Sequence, residues 1–211
     1  MRALIVLGGD APGRELLKRC ACESEMTIAA DSGLCAFDGT DLMPDLLLGD
    51  IDTVPERVLA RYEGRVPQRR LGCIKDDTDG VDALDYAIER GATEITLLGA
   101  LGGRLDHAMA NAMLLVRAHR KGVRARIVSE RVRITRVDGE ETIVGAVGDT
   151  VSLLPLGEAR GVTLEGFFYP LKEHTLTSDY PLGVSNVVTG SEARIRVSEG
   201  DLLLFHHFGA V

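Results

Sequence analysis

The sequence contains no tryptophan, and aromatic residues make up only 4% of its 211 residues. It also lacks an excess of positive charge, because 24 lysines and arginines stand against 32 aspartates and glutamates, a formal net charge of −8. Binding to a nucleic-acid backbone needs a concentrated basic face. The composition therefore argues against a nucleic-acid partner, and a polyphosphate ligand would have to arrive together with a cation.

Long hydrophobic runs are missing as well. The opening apolar stretch ends at residues 8–10, which is too short for the core of a signal peptide and far too short to cross a bilayer. We therefore expect a cytoplasmic protein with no membrane partner. The four cysteines include no C-x-x-C pair and no histidine at zinc spacing, so we expect buried, reduced thiols rather than a structural zinc site.

Two common nucleotide-binding motifs are absent. Residues 8–15 have the glycine spacing of a P-loop but lack its lysine and Ser/Thr, and no G-x-G-x-x-G sequence occurs. The sequence therefore predicts neither a Walker ATPase nor an ordinary dinucleotide-binding protein. His206 and His207 have no partners at ligand spacing, and we interpret them as structural.

The first 130 residues show a regular alternation of short Leu-rich or β-branched runs with amphipathic stretches. This pattern is typical of repeated βα units around a parallel sheet. We predict strands at 3–7, 26–30, 46–48, 70–74, 94–98 and 124–129. Helices are predicted at 14–23, 55–63, 81–90 and 105–121. The last helix carries an apolar stripe formed by Leu105, Met109, Ala112, Met113 and Val116.

After Arg131 the pattern changes to short alternating runs separated by turn residues, which predicts a small antiparallel β-sandwich or barrel. The predicted strands lie at 132–137, 142–144, 150–154, 161–165, 184–188, 193–197 and 202–206. The expected organisation is thus a Rossmann-like parallel α/β domain over residues 1–130, followed by an antiparallel β-sandwich domain over residues 131–211.

Two carboxylates follow the predicted third strand. Asp50 and Asp52 come directly after a buried leucine run. Residues two apart in an extended backbone face the same side, so both side chains can converge on one cation. The carboxyl ends of strands are also where open α/β sheets bind ligands. The alternative is a turn in which one aspartate caps the next helix.

A second polar cluster, Lys75–Asp79, lies between a predicted strand and a predicted helix. Thr78 or Asp79 could simply cap that helix. The cluster holds more polar groups than capping needs, and Lys75 suits contact with a phosphate. We therefore predict Asp79 as a further magnesium ligand.

The third cluster is a glycine-rich turn before the long predicted helix, Gly99–His107. Exposed backbone N–H groups in such a turn form a nest for anions, and the helix N-terminus adds partial positive charge. Arg104 can offer a bidentate fork to phosphate oxygens. The turn carries Arg104, Asp106 and His107 within four residues, and its residues predicted to bind the ligand are Gly102, Gly103, Arg104 and His107.

Taken together and in this order, Ala30–Gly33, Pro44–Asp52, Lys75–Asp79 and Gly99–His107 resemble the motifs of the thiamine pyrophosphokinase family, over nearly the whole chain. The second domain of that family is a small β-sandwich with a Ser-Asn pair, matched here by Ser185-Asn186. The resemblance implies transfer of a diphosphate group from ATP to the hydroxyl of thiamine, which gives thiamine diphosphate and AMP.

The resemblance also implies roles for individual residues. Asp50, Asp52 and Asp79 correspond to magnesium ligands at the catalytic centre. Contacts to ATP or thiamine are implied for Asp31, Arg104 and Asp106, and Lys75 and Asp76 fall in a polyphosphate-facing loop. The resemblance also implies a homodimer, in which thiamine lies between the α/β domain of one chain and the sandwich of the other.

Three residues at two sites depart from the family pattern. Val187-Val188 stand where related sequences often carry an aromatic residue, and Ser32 stands where glycine is frequent. A related pyrophosphokinase acting on another alcohol, such as a hydroxymethyl pterin, is therefore the leading alternative. A non-catalytic nucleotide or thiamine sensor is the second, although binding alone needs no cluster of carboxylates.

The acceptor site needs an aromatic face for the thiamine rings. Period-two alternation predicts Phe167 and Tyr169 on one face of a strand and Phe168 on the other. We favour Tyr169 as the stacking ring, because its hydroxyl suits a wet interface. Ser185 and Asn186 are expected to hydrogen-bond the acceptor across a dimer contact.

Overall fold

The computed structural model describes residues 1–70 and 78–209 of the chain. It separates into two compact units, Met1–Glu130 and Arg131–Val211. Unit 1 is an α/β domain and unit 2 consists of antiparallel strands, so the predicted fold class is confirmed.

Unit 1 is built on six parallel strands. They are β1 (Arg2–Val6), β2 (Met26–Ala30), β3 (Leu46–Gly49), β4 (Gln68–Arg70), β5 (Glu94–Leu98) and β6 (Arg124–Val128). Their order in the sheet is β4-β3-β2-β1-β5-β6. The chain therefore runs outward from β1 in one direction and then in the other, which makes the carboxyl ends of β1 and β5 the switch point where such sheets bind ligands.

Helices cover both faces of this sheet. They are α1 (Arg14–Cys22), α2 (Glu56–Tyr62), α3 (Asp79–Glu89), α4 (Leu105–Arg120) and a 3-10 helix over Asp31–Phe37. Leu4 and Val6 pack in one cluster with residues of α1, α2 and the 3-10 helix. The intervening Ile5 is equally buried, and α3 lies against β1, β2 and β3. Strands buried on both sides explain the continuous apolar runs of the sequence.

Three details of unit 1 differ from the predictions. The 3-10 helix was not predicted, because its sequence has no helical apolar period. Helix α3 begins at Asp79, where the Thr78 hydroxyl accepts a hydrogen bond from the backbone N–H of Val81 at 3.4 Å. On α4, the predicted stripe is wrong in part: Ala112 and Val116 are buried, whereas the side chains at the other three positions are exposed, namely Leu105, Met109 and Met113.

Unit 2 is organised around one long strand. Its strands are β7 (Val132–Arg136), β8 (Glu140–Val144), β9 (Thr150–Glu165), β10 (Leu171–Thr177), β11 (Asn186–Val187), β12 (Glu192–Arg196) and β13 (Glu199–His207). The order is β7-β13-β9-β12-β8, and β10 and β11 also pair with β9. Alternate side chains of these strands, including Val151, Leu153, Leu164, Ile195 and Leu204, form the core.

The predicted strands at 150–154 and 161–165 are one continuous strand, so the predicted break between them is wrong. Gly157 and Gly161 have positive φ angles, and the pairing of β9 with β13 shifts register in this region. A bulged strand bends at such glycines instead of ending. Strand β10 was missed because its exposed Lys-Glu-His sequence shows no alternation.

The remaining expectations concern histidine, cysteine and membrane segments. His206 is buried and lies 2.7 Å from Asp149, in line with a structural role. Cys20 is a buried free thiol, whereas Cys22 is a free but exposed one, so burial was wrongly expected there. Cys73 falls outside the described residues. None of the helices in the described ranges is long and apolar enough to span a membrane.

Candidate active site

An acidic cluster lies at the carboxyl ends of β2 and β3. Asp31 begins the 3-10 helix after β2, Asp50 follows β3 directly, and Asp79 is the first residue of α3. One carboxylate oxygen from each residue lies within 4.8 Å of the other two, and all three residues are half-buried. Carboxylate oxygens at this spacing are the ligands that a hard divalent cation prefers.

Asp31 provides a test of whether a cation fits. One of its oxygens, Oδ2, accepts a hydrogen bond from the Thr53 hydroxyl. The other, Oδ1, is buried and has no hydrogen-bond partner among the described residues. A buried carboxylate oxygen without a partner is costly unless a cation or a donor reaches it. The cluster therefore fits a metal ion on its own geometry.

Asp52 lies beside this cluster and is not one of its three members. The same-side argument from an extended backbone does not apply, because Ile51 between the two aspartates has a φ of 67° and is buried. The negative charge of Asp50 nevertheless raises the pKa of Asp52, so the two carboxylates are close. Helix α2 is capped at Pro55 with no side-chain hydrogen bond, so neither aspartate caps it. Asp52 as a metal ligand stays a prediction.

Glycine-rich loops meet at the switch point of the sheet. The backbone N–H of Gly9, after β1, donates to the carbonyl of Gly99, after β5, at 2.8 Å. The N–H of Asp10 donates to the carbonyl of Leu101 at 2.7 Å. A Cβ on Gly102, whose φ is 82°, would lie 2.0 Å from the Asp10 carboxyl carbon. Glycine at this position therefore lets the two loops touch.

The start of α4 carries a charged pair. The Arg104 guanidinium donates from Nη2 to Asp106 Oδ2 at 2.6 Å and from Nε to Oδ1 at 3.2 Å. Arg104 holds the pKa of Asp106 down to about 2. Both side chains are exposed, and the guanidinium keeps N–H groups that do not point at Asp106. Arg104 is therefore oriented by Asp106 while still able to donate to a phosphate.

The acidic cluster and the glycine loops line one cavity of about 580 Å³. Its volume lies within the range of small-molecule sites, about 300–1,000 Å³. The predicted residues that line it are Asp31, Asp50, Asp79, Gly102, Gly103, Arg104 and His107. Lys75 and Asp76 lie outside the described residues. A cation site beside a nest of backbone N–H groups suits a metal-bound polyphosphate.

Several lining residues were missed at the sequence level. Gly8 and Gly9 line the cavity, although their segment lacks the lysine and Ser/Thr of a P-loop. Ser32, Thr53 and Asn111 line it as well. Asn111 donates from Nδ2 to the carbonyl of Ala100 at 2.9 Å and so fixes the loop after β5. The signal that points to residues 8 and 9 is their position after β1, since the first strand of such a sheet borders the switch point.

In unit 2, the predicted alternation of the aromatic residues is wrong. Phe167 is 5% exposed and belongs to the core, whereas Phe168 and Tyr169 are 64% and 63% exposed. Residues 168 and 169 are not in a strand, so period-two alternation does not govern them. Their rings meet edge to face with centroids 4.8 Å apart. Tyr169 is thus available to a ligand, with Phe168 beside it.

The two residues of the Ser-Asn pair differ in exposure and in hydrogen bonding. Ser185 is exposed and has a φ of 59°, and its backbone N–H donates to Ser152 Oγ at 3.0 Å. Asn186 is only 6% exposed. Its Oδ1 accepts from the backbone N–H of Tyr169 at 3.0 Å, and its Nδ2 donates to the carbonyl of the same residue at 2.8 Å.

Comparisons with known proteins agree over the length of the chain. A family model described as thiamin pyrophosphokinase, catalytic domain, matches residues 17–127, and one described as thiamin pyrophosphokinase, vitamin B1 binding domain, matches residues 133–202. The chain is 28% identical over 186 residues to a thiamine pyrophosphokinase of Bacillus subtilis (strain 168), a match that covers 86% of this chain and 87% of the relative.

Solved structures give the same result. A crystal structure of thiamine pyrophosphokinase from Bacillus subtilis matches with a TM-score of 0.87 and 25% identity and covers 99% of both chains. Another, of thiamin pyrophosphokinase from Geobacillus thermodenitrificans, matches with a TM-score of 0.82 and 28% identity, covering 98% of this chain and 97% of the other.

Proposed function

We propose a function that follows from the family. This chain belongs to the thiamin pyrophosphokinase family, and it transfers a diphosphate group from ATP to the hydroxyl of thiamine, which produces thiamine diphosphate and AMP. The observation that carries the proposal is the cavity of unit 1 in which a cluster of three aspartates lies beside a glycine-rich anion nest. Such a cavity is suited to hold a polyphosphate together with its cation.

Asp31, Asp50 and Asp79 would hold Mg²⁺, and Asp52 lies close enough to Asp50 to join them. When bound, the metal supplies positive charge that screens the phosphate oxygens and lowers the cost of nucleophilic attack on phosphorus. The unpartnered Oδ1 of Asp31 supports this assignment.

The loop after β5 and the start of α4 would bind the phosphate chain. Backbone N–H groups of Gly102 and Gly103 and the guanidinium of Arg104 can donate to oxygens on which charge builds up during the transfer. Asp106 keeps Arg104 in place. Lys75 and Asp76 are proposed as further contacts to the polyphosphate, on the family resemblance alone.

The acceptor would bind to unit 2, the part matched by the vitamin B1 binding model, with Tyr169 as its stacking ring. We propose that the enzyme is a homodimer in which the α/β unit of one chain and the sandwich of its partner share one thiamine. Mixing Asp50→Asn chains with Tyr169→Ala/Ser185→Ala chains then restores about a quarter of the wild-type activity at low thiamine, because random pairing leaves one intact site in half of the dimers. No recovery on mixing would place the whole site within one chain.

The reaction itself is tested by incubating the chain with ATP, Mg²⁺ and thiamine and following the products by phosphorus NMR. One AMP should form for each thiamine diphosphate, and no ADP. ADP as the nucleotide product would reassign the protein to ordinary phosphoryl transfer. A hydroxymethyl pterin offered in place of thiamine tests the alternative acceptor, and binding of ATP without turnover of either alcohol would indicate a sensor.

A further inference from the structure

Asn186 is committed to the backbone around the exposed aromatic pair. Its Oδ1 accepts two hydrogen bonds, from the N–H groups of Tyr169 at 3.0 Å and Val187 at 2.9 Å. Its Nδ2 donates to the Tyr169 carbonyl at 2.8 Å. Both backbone polar groups of Tyr169 are thus held by one side chain.

This arrangement leaves Asn186 little capacity for a ligand. An amide oxygen has two acceptor sites, and both are occupied here. The side chain is also almost fully buried, at 6% exposure. A ligand therefore has little access to the amide, whereas the side chains of Phe168 and Tyr169 are exposed to it.

Ser185 has the opposite character. It is exposed, and within the described residues its one hydrogen bond is made by the backbone N–H, which leaves the hydroxyl to a ligand. Its φ of 59° lies in the left-handed region, which a residue other than glycine, asparagine or aspartate seldom adopts. Backbone strain of this kind clusters at active sites and at residues that clamp ligands.

We propose that the two neighbours have different parts in the acceptor site: Asn186 is a positioning residue that holds Tyr169, and Ser185 presents the hydroxyl that meets the acceptor. The proposal rests on the function proposed above, with thiamine bound at unit 2. It replaces the expectation that both side chains contact the acceptor directly.

Other contacts around Tyr169 support a preorganised ring. The N–H of Phe168 donates to the carbonyl of Val187 at 2.9 Å, so the preceding residue is also held by the Asn186–Val187 strand. Pro170 follows and restricts Tyr169 to extended backbone conformations. A ring whose backbone is fixed in advance loses little entropy when a ligand binds.

A double-mutant cycle tests the proposal on the full-length enzyme. The chains compared are wild type, Tyr169→Ala, Asn186→Ala and the double variant, with kcat and KM measured for thiamine and for ATP. We expect Asn186→Ala to raise the KM for thiamine about tenfold, the size of a lost aromatic contact, and to leave the KM for ATP unchanged. The double variant should be no worse than Tyr169→Ala, because Asn186 acts through that ring.

Ser185→Ala is the matched comparison. Its effect on the KM for thiamine should multiply with that of Tyr169→Ala, as expected for two independent contacts. Asn186→Asp keeps the two acceptor bonds but sets a carboxylate oxygen against the Tyr169 carbonyl, so it should lose about as much thiamine affinity as Asn186→Ala and cause no further loss in the Tyr169→Ala background. If Asn186→Ala fails to fold, Asn186→Asp takes its place in the double-mutant cycle.

The proposal would be overturned if the effects of Asn186→Ala and Tyr169→Ala on the KM for thiamine multiplied. It would also be overturned if Asn186→Ala raised the KM values for thiamine and ATP equally. In both cases the proposed function would stand. A wild-type chain that does not convert thiamine would overturn both. The two failures are thus distinguished within one set of measurements.

Discussion

Units 1 and 2 place their candidate residues in different ways. In unit 1, Asp31, Asp50 and Gly99 each follow directly on a parallel strand, and all of these strand ends lie at one edge of the sheet. In unit 2, Tyr169 and Ser185 lie in irregular segments between antiparallel strands. Their positions depend on particular hydrogen bonds, such as those of Asn186, and not on strand order. The parallel sheet thus converts chain order into proximity, and the sandwich does not.

The largest expected effect removes charge from the acidic cluster of unit 1. Asp50→Asn should lower kcat by about 1,000-fold or more. The change weakens binding of the metal ion, whose positive charge neutralises the charge on the group being transferred. Calorimetry with Mn²⁺ should show weaker metal binding, and circular dichroism an unchanged fold. Asp31→Asn and Asp79→Asn should behave alike.

The exposed Asp41, outside the cavity, supplies the control for this experiment, and Asp41→Asn should be neutral. Asp52→Asn tests the prediction made from sequence. If it abolishes turnover as Asp50→Asn does, Asp52 belongs to the metal site; near-normal activity at low magnesium would exclude it, and normal activity of Asp31→Asn would overturn the cluster itself.

These residues show how far sequence alone could go in unit 1. Asp50, Asp79 and Arg104 could be predicted to come together, because strand ends in an open parallel sheet converge. Asp31 could be assigned a role only through the family resemblance, since it begins a 3-10 helix that shows no apolar period. The geometry around Asp50 was predicted for the wrong reason, because a left-handed Ile51 breaks the extended backbone on which the argument relied.

Unit 2 was predictable at the level of strands but less so at its surface. Alternation identified most of the core strands, since period two reflects burial on one side. It failed at Phe168 and Tyr169, where the backbone leaves the strand, and at Gly157 and Gly161, where the strand bends and continues. Local hydrogen bonds and bulges decide these features, and they leave no periodic signal in the sequence.

The second effect in size concerns the loop contact at the switch point. Gly102→Ala should lower kcat/KM for ATP by about 30-fold, because the new methyl group would collide with the Asp10 carboxylate and displace the phosphate-binding loop. The KM for thiamine should change little. Steady-state kinetics with each substrate varied in turn provides the measurement.

Gly122→Ala controls for backbone strain. Gly122 also has a positive φ, but an added Cβ would meet nothing within 4 Å. It should therefore reduce stability slightly and leave both Michaelis constants unchanged. Equal kinetic losses in the two variants would show that strain, and not the contact with Asp10, explains the effect.

The third effect belongs to unit 2 and should reverse the substrate dependence of the second, because it concerns thiamine and not ATP. Tyr169→Ala should raise the KM for thiamine about tenfold and leave the KM for ATP unchanged, because one stacking or cation–π contact is lost. Phe168→Ala is a matched comparison, since its ring is equally exposed and touches that of Tyr169. A larger loss in Phe168→Ala would transfer the stacking role to that ring.

The smallest effect concerns stability and compares one ion pair in each unit. In unit 1, Asp85 of α3 accepts two hydrogen bonds from Arg117 of α4, at 3.0 and 2.6 Å, and lies 2.8 Å from Lys121 Nζ. In unit 2, Arg136 of β7 donates from Nε to Asp201 of β13 at 2.8 Å. Each pair links two elements of its own unit, so each should stabilise that unit.

Asp85→Asn should lower the free energy of unfolding by about 1 kcal/mol at pH 7, after allowance for screening by solvent. Hydrogen bonds from Arg117 are the main cause that lowers the pKa of Asp85 below its ordinary value of 3.8. Because the pKa is lower in the folded state, this stability is fully present above 3.8 and is lost as the pH falls through the folded-state pKa. Urea titrations from pH 7 downward should therefore show the two chains converging only in acid. A difference between them that does not depend on pH would mean that Asp85 stabilises α3 and α4 by packing and not by its charge.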